Sequence, residues 1–184
     1  MFRMVLCALC LMLPLGAQAQ KPADRRADLE KMLDALRVAP DEESAGKLEA
    51  HIRQLWFESG SSAVTLLMGR GLRDMKAGAH DQAVEVFDDV IVLDPALAEA
   101  WHQRAVAKFH VGDRMGAIRD IEETLKREPR HFAALRTLAE IAASREDWKS
   151  AYAAWMKVIE LSPKIPGGTE RIKDLKRRAL GEET

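Results

Sequence analysis

Cysteine is almost absent from this chain of 184 residues, and both cysteines, Cys7 and Cys10, lie within the first ten positions. Removal of a leader containing them would leave no thiol for a disulfide, a thiolate zinc site or a cysteine nucleophile. Aromatic residues make up only 5% of the chain, with a single tyrosine, and the formal net charge is −1. Such a charge balance gives no general attraction to nucleic acid or to an anionic membrane.

Residues 1–19 have the organisation of a secretory signal peptide. Arg3 supplies a positive charge, residues 5–15 are apolar, and small residues precede an expected cleavage after Ala19. The apolar run is shorter than the roughly 20 residues that a spanning helix needs. We therefore predict an exported, periplasmic protein, with retention of residues 1–20 as a membrane anchor as the alternative.

A spacing of 34 residues recurs along the rest of the chain. Three prolines and three alanines follow it: Pro95, Pro129 and Pro163, with Ala83, Ala117 and Ala151. A fixed step of this length is typical of stacked helix–turn–helix units. Apolar residues have helical spacing, and glycine and proline fall between the apolar stretches. The sequence therefore predicts an all-α solenoid of stacked helical pairs.

The same pattern predicts where the helices begin and end. The expected ranges are 24–38, 42–57, 63–76, 80–93, 97–110, 114–127, 131–144, 148–161 and 169–180. Gly78, Gly112 and Glu146-Asp147 mark the turns inside the repeated pairs, because glycine can adopt the left-handed conformation that ends a helix and aspartate can cap the next one.

Residues 64–97, 98–131 and 132–165 resemble the units of tetratricopeptide repeat (TPR) proteins. The family's large and small positions are occupied by Leu67, Trp101 and Leu135; by Gly71, Ala105 and Ala139; and by Phe87, Ile121 and Trp155. The tyrosine position departs from the family, because it holds Asp74, Lys108 and Ala142. We expect the neighbouring Met75 and Phe109 to supply the missing packing.

The resemblance implies a TPR-like α-solenoid with helices added at both ends. Residues 63–165 would form the three units. Residues 20–62 lack the 34-residue step and are interpreted as a degenerate helical pair that caps the N-terminal end. Residues 166–184 resemble the capping helix and tail that often close such arrays.

In this family the first helix of each unit lines a concave groove that binds other proteins. The positions that the resemblance assigns to the groove are Met68, Leu72, Met75, His102, Val106, Phe109, His110, Arg136 and Glu140. Leu72 and Val106 could equally be core residues. Methionine adapts to varied partners, and an apolar peptide or helix face is the expected ligand. Some members hold a carboxylate with lysine and asparagine, but here those positions are Met68 and Leu72, which argues against that clamp.

The sequence shows no catalytic constellation. None of the five histidines lies three or four residues from another on the predicted helices, so no facing metal pair is recognised. His102 and His110 are interpreted as polar residues of the groove. Adjacent acidic residues such as Glu122-Glu123 point in different directions on a helix and are interpreted as solvated faces. We predict that the protein is not an enzyme and binds no cofactor or metal.

Charge is distributed unevenly along the repeats. Only acidic charges occur between Lys76 and Arg104, whereas residues 164–180 are mainly basic. These stretches are solvated faces or, alternatively, contacts for weak self-association. The combined prediction is a protein–protein interaction scaffold or assembly adaptor of the bacterial cell envelope. The alternatives are a membrane-tethered, chaperone-like assembly factor and an accessory subunit of an envelope enzyme complex.

Overall fold

The structure, a computed structural model, describes residues 22–58 and 61–181. Within these ranges the chain forms nine α-helices and no strands. The helices are α1 (Pro22–Arg37), α2 (Glu42–Phe57), α3 (Ser62–Lys76), α4 (His80–Leu93), α5 (Ala98–His110), α6 (Arg114–Arg127), α7 (Phe132–Ala143), α8 (Trp148–Leu161) and α9 (Gly168–Leu180). The predicted all-α solenoid is confirmed.

The predicted signal peptide, residues 1–19, and the alternative anchor lie outside the described residues. In the two described ranges, no helix combines the length and the apolar character required to cross a bilayer.

Short polar side chains determine where several helices begin. Asp41, Asp113 and Asp147 each accept a hydrogen bond from the backbone N–H three residues later, at the starts of α2, α6 and α8. These bonds satisfy a backbone donor that the first helical turn leaves unpaired. At α7 a histidine has this role, because His131 Nδ1 accepts a hydrogen bond from Ala134 N–H at 3.1 Å.

The turns inside the three units share one left-handed backbone position. Gly78 has φ 76° and Gly112 has φ 90°. The third unit places Glu146 there with φ 58°, although a side chain is strained in this conformation. The 34-residue step therefore repeats in the backbone, even where the amino acid changes.

Close helix contact explains the small residues of the repeat. A Cβ placed on Gly71 would lie 2.5 Å from Phe87 Cε1, so α3 and α4 approach each other too closely for a methyl group. Ala105 and Ala139, at the same position in the next units, are fully buried. The repeat pattern thus selects residues by the distance between the two helices of a unit.

The position that tyrosine occupies in the family is used differently here. In unit two, Lys108 Nζ lies 2.9 Å from Asp120 Oδ2, and Arg104 donates two hydrogen bonds to the same carboxylate. Met75 and Phe109 are half-buried and pack against the cores of units one and two. In unit two this position therefore carries an ion-pair network, while Met75 and Phe109 supply apolar packing in units one and two.

The two ends of the helical stack differ in how the terminal helix is exposed. At the N-terminal end, α3 exposes Arg70 and Arg73 to solvent. At the C-terminal end, α9 packs on α8 and buries Leu175 in the same core as Trp155 and Val158. Polar outer faces keep such arrays soluble.

The helical pair α1–α2 has a position that the sequence did not predict. We expected the pair to cap the N-terminal end, next to unit one. Instead α1 contacts α8, α2 contacts α5, and the pair shares an apolar cluster with Phe132 at the start of α7. The pair is therefore folded back over units two and three.

Candidate functional site

The first helices of the units, α3, α5 and α7, form one face of the array, which we call the inner face. The predicted groove residues all lie on these helices. Their environments differ sharply, because α2 covers the half of the inner face that is nearest the turns between units. We describe the covered half first and then the open half.

Three contacts along α2 show how it lies across the inner face. Gly46 is next to Pro166, beyond unit three, since a Cβ at residue 46 would lie 3.5 Å from the proline ring. Near the other end of α2, Trp56 stacks on His131, and Phe57 packs against the core of unit one. The helix thus runs from the end of unit three to unit one.

Two of the predicted groove residues belong to the covered half. Met68 is fully buried in the core that also contacts Phe57, and only 6% of His102 is exposed. Neither side chain is accessible to a partner in this arrangement. The sequence assigned both residues to the groove by their position on the first helices and did not predict that they are buried.

A buried polar cluster, formed by Glu99, His102 and His131, lies beneath α2. His131 Nε2 is 2.9 Å from Glu99 Oε2, and His102 Nδ1 is 3.5 Å from the same oxygen. The ring of Trp56 covers His131 with a centroid distance of 3.9 Å and an interplanar angle of 10°. The ring of Trp56 therefore covers the His131 side of this buried cluster.

Hydrogen bonding determines the protonation of His131. Its Nδ1 accepts from the backbone N–H of Ala134, so this nitrogen carries no proton. The proton of the neutral ring is consequently on Nε2, which donates to Glu99. In this state His131 caps α7 and holds the glutamate at the same time.

His102 is oriented by a second chain of hydrogen bonds. Thr137 Oγ1 donates to the carbonyl of Ala133, so it can only accept from His102 Nε2, which lies 3.2 Å away. His102 Nδ1 then faces Glu99 at an ion-pair distance. A proton on Nδ1 would complete a charge pair between His102 and Glu99.

Burial acts on the pKa values of Glu99 and His131 in opposite directions. Burial alone would raise the pKa of Glu99, but the charge of His102 and the hydrogen bonds from both histidines hold that pKa well below its usual range. Burial lowers the pKa of His131, and the charge of His102 lowers it further, against the opposing hydrogen bond to Glu99. The cluster therefore favours an ionised Glu99 and a neutral His131.

The same three residues have the composition of a metal site, with donor atoms within 4.8 Å of one another. The hydrogen bonds do not fit that role. A histidine that binds metal through Nε2 normally donates its other N–H to a neighbouring acceptor. Here Nδ1 of His131 accepts from a backbone donor, which leaves the proton on the nitrogen that faces Glu99. We therefore interpret the cluster as a hydrogen-bonded network.

Glu49 makes polar contacts between α2 and unit three. Its Oε1 accepts a hydrogen bond from Ser162 Oγ at 3.2 Å, and Arg53 and Arg136 lie 3.9 and 4.0 Å from Oε2. Burial raises the pKa of Glu49, and these three partners only partly offset that effect. The predicted groove residue Arg136 thus contacts α2.

Ion pairs surround the covered half and hold α1 in place. Arg130, just before α7, donates to Asp34 at 2.8 Å and also to Glu30. Arg26 lies 4.0 Å from Glu128. These contacts are partly exposed, where an ion pair contributes at most about 1 kcal/mol.

The open half of the inner face contains the other predicted residues. Leu72, His110 and Glu140 are exposed, and Met75, Val106 and Phe109 are half-buried. The ring of His110 stacks on His80 of unit one with a centroid distance of 4.4 Å. This half combines apolar side chains with two histidines and one acid.

Several charged residues in the acidic and basic stretches of the sequence form ion pairs or hydrogen bonds within the chain. Within the acidic stretch, Asp88 pairs with Arg104, and Glu99 belongs to the buried cluster. In α9, Asp174 pairs with Arg177 and Arg178. Weak self-association through these faces remains a prediction, with less free charge than the sequence indicates.

The cluster of Glu99, His102 and His131 was missed because Glu99 and His102 lie on α5, whereas His131 caps α7. His102 and His131 are 29 residues apart, so no helical spacing relates them. One signal was available. Glu99 and His102 are the second and fifth residues of α5 and lie on its inner face, and His131 immediately precedes α7. Stacking the units in register would have brought the three together.

Comparisons with known proteins give the same repeat fold. No protein-family model matches the chain. The chain is 29% identical over 156 residues to a TPR repeat-containing protein of Rhizobium etli, an alignment that covers 85% of this chain and 76% of that protein.

Two solved structures show similar architecture. The first TPR domain of Spaghetti (RPAP3), bound to the HSP90 peptide SRMEEVD, matches with a TM-score of 0.60 and 19% identity, covering 65% of this chain and 94% of that one. The crystal structure of MamA protein matches with a TM-score of 0.57 and 19% identity, covering 85% and 83%. At these identities the likeness describes the fold.

Proposed function

We propose that the chain is a non-enzymatic protein–protein interaction scaffold or assembly adaptor. Its 34-residue repeat and its helical stack, which are similar to those of TPR proteins, support this proposal. The observation that carries this proposal is the inner face, where first helices from three units present apolar and polar side chains side by side. Faces of this kind bind peptides or amphipathic helices of other proteins. The HSP90 peptide bound to the Spaghetti domain is one example of a ligand on this fold.

The open half of the inner face is the proposed contact surface. Phe109 and His110 lie at its centre, with Leu72 in unit one and Glu140 in unit three on either side. An aromatic side chain next to polar groups is the composition that dominates binding energy at protein interfaces. The chemistry favours a partner segment with an apolar side chain and a group that can bond to histidine.

The proposed location is the bacterial cell envelope. The organisation of residues 1–19 supports this proposal, because a charged start, an apolar run and a small-residue cleavage site direct export. Mass determination of the N terminus in the native host tests it. A chain that begins at Gln20 supports export with cleavage, whereas a chain that retains residues 1–19 supports the anchored alternative.

Site-directed photocrosslinking in living cells tests the interaction surface. A photoreactive amino acid at residue 110, in the open half, is compared with one at Val92, an 81%-exposed residue of the second helix α4. We expect a discrete adduct with a partner protein from residue 110 and none from residue 92. Equal adducts at both positions, or none at residue 110, would contradict the assignment of the surface.

A further inference from the structure

We propose that α2 occupies a helix-binding site within its own chain, and that the partner for this site is an amphipathic helix with an acid, an aliphatic residue and an aromatic residue spaced as in Glu49, Ile52 and Trp56. This inference rests on the proposed function, because it concerns the covered half of the same inner face. It adds the chemical class of the partner and the element that the partner must displace.

The three side chains of α2 form a single contact stripe. Residues separated by three and then four positions lie on one face of a helix. Glu49, Ile52 and Trp56 have exposed fractions of 2%, 0% and 5%, whereas the intervening His51 and Arg53 are exposed. The helix is therefore amphipathic, and its buried stripe is the part that the inner face recognises.

The side chains of the stripe contact residues of the repeated units. Glu49 accepts from Ser162 at the end of unit three, and Ile52 lies in an apolar cluster that residues of α1 and α2 form with Phe132 of α7. Trp56 stacks on His131. On the units, the carboxylate of Glu49 thus meets a hydroxyl, and the ring of Trp56 meets the imidazole of His131 and the phenyl ring of Phe132.

The surface under α2 resembles a binding interface more than a permanent core. Cores are built from apolar side chains, and an ion pair buried there contributes little stability. Here the ring of Trp56 lies on His131, which forms a buried polar network with Glu99 and His102. A polar network that is covered by the ring of Trp56 is suited to a surface that is covered in one state and exposed in another.

The attachment of α2 is also separate from the repeat. Residues 20–62 lack the 34-residue step, and α1 is held partly by the ion pairs of Arg130 with Glu30 and Asp34. An attached helix has a high effective concentration at its site, so a free partner must bind more tightly or the attachment must be loosened. Because α1–α2 competes with a free partner for this site, a higher concentration of the partner would be needed for binding.

Peptide binding to the full-length chain tests the proposal. The probe is a fluorescein-labelled peptide with the sequence of residues 41–58. Arg130→Glu places a negative charge opposite Glu30 and Asp34, which loosens α1–α2 without changing Phe132, His131 or Ser162. Fluorescence anisotropy should show at least about tenfold tighter binding to this variant than to the wild type. Arg119→Glu, an exposed charge change on α6, is the matched control and should bind like the wild type.

A covalent lock shows whether the peptide uses the covered half. Gly46→Cys with Pro166→Cys joins α2 to the end of unit three in a chain whose Cys7 and Cys10 are serine. Oxidation or a short bismaleimide should abolish peptide binding to the Arg130→Glu chain, and reduction of the disulfide should restore it. A probe peptide with alanine in place of Trp56 should bind at least about tenfold more weakly.

Three outcomes would overturn the inference. The Arg130→Glu chain could bind the peptide no more tightly than the wild type. The locked chain could bind it equally well. The Arg130→Glu chain could form a dimer without peptide binding, which would assign the site to α2 of a second copy. None of these results affects crosslinking at residue 110, so failure of the proposed function remains distinguishable.

Discussion

Trp56 lies flat on His131, with ring centroids 3.9 Å apart and an interplanar angle of 10°. One ring belongs to α2, outside the repeat, and the other caps the first helix of unit three. This contact joins α2, which lies outside the 34-residue repeat, to the repeated units. It also covers the His131 side of the polar cluster of Glu99, His102 and His131.

Trp56→Ala should lower the free energy of unfolding by about 3–5 kcal/mol, because it leaves a cavity over a polar network. Urea unfolding followed by circular dichroism measures the change. Leu66→Ala is the control, since this residue of α3 is 73% exposed and should cost less than about 0.5 kcal/mol. Similar losses for the two variants would contradict the contact described for Trp56.

The pH dependence of stability should carry a contribution from His131. In the unfolded chain this ring takes up a proton near its ordinary pKa of 6.5, whereas burial lowers its pKa in the folded chain. The unfolded state therefore binds more protons as the pH falls below that value, and the free energy of unfolding decreases. Above it, His131 contributes no pH dependence.

Unfolding of the His131→Asn chain at a series of pH values measures this effect. Asparagine can still cap α7 but cannot titrate, so the loss of stability from about pH 7 to about pH 5 should become smaller. His51→Asn, an exposed change on α2, should retain the wild-type slope. An unchanged slope in the His131→Asn chain would show that the buried ring is not the group responsible.

Two glycines of α3 should respond to alanine in opposite directions. Gly71→Ala would place a methyl group 2.5 Å from Phe87 Cε1 and should cost about 1–3 kcal/mol. Gly69→Ala meets only the flexible end of Arg73, at 3.5 Å, and should stabilise the helix by about 0.5–1 kcal/mol. Thermal unfolding of both variants distinguishes a packing requirement from helix propensity. Stabilisation by both changes would mean that α3 and α4 are further apart than described.

Glu146→Gly should stabilise the chain by about 1 kcal/mol, because Glu146 adopts φ 58° where glycine is unstrained. Gly112→Ala, at the same position of unit two with φ 90°, should destabilise it. The two midpoints of thermal unfolding should therefore shift in opposite directions. A lower midpoint for Glu146→Gly would indicate that the glutamate side chain contributes more than its backbone strain costs.

Local sequence signals were sufficient to predict the helices of the repeat. Pro95, Pro129 and Pro163 fix the turns between units, and the capping residues Asp113 and Asp147 fix where second helices begin. Such signals act within a few residues, so they can be recognised without any knowledge of the tertiary fold. The predicted bounds of α2, α4, α6 and α8 agree with the structure.

The position of α1–α2 could not be predicted in the same way. It depends on contacts between residues far apart in the chain, such as Glu49 with Ser162 and Arg130 with Asp34. Amphipathic periodicity shows that a helix has an apolar face but not which surface it covers. For that reason Met68 and His102 were assigned to the groove by position and are buried in the structure.

Intramolecular crosslinking between residues 46 and 166 tests most directly the claim that α2 covers the inner face. In a Gly46→Cys, Pro166→Cys chain with Cys7 and Cys10 changed to serine, oxidation should give a crosslinked monomer. The account predicts no such product for Gly46→Cys paired with Met156→Cys, an exposed position of α8. A chain that does not crosslink at 46 and 166, or that does so only between two copies, would contradict the account.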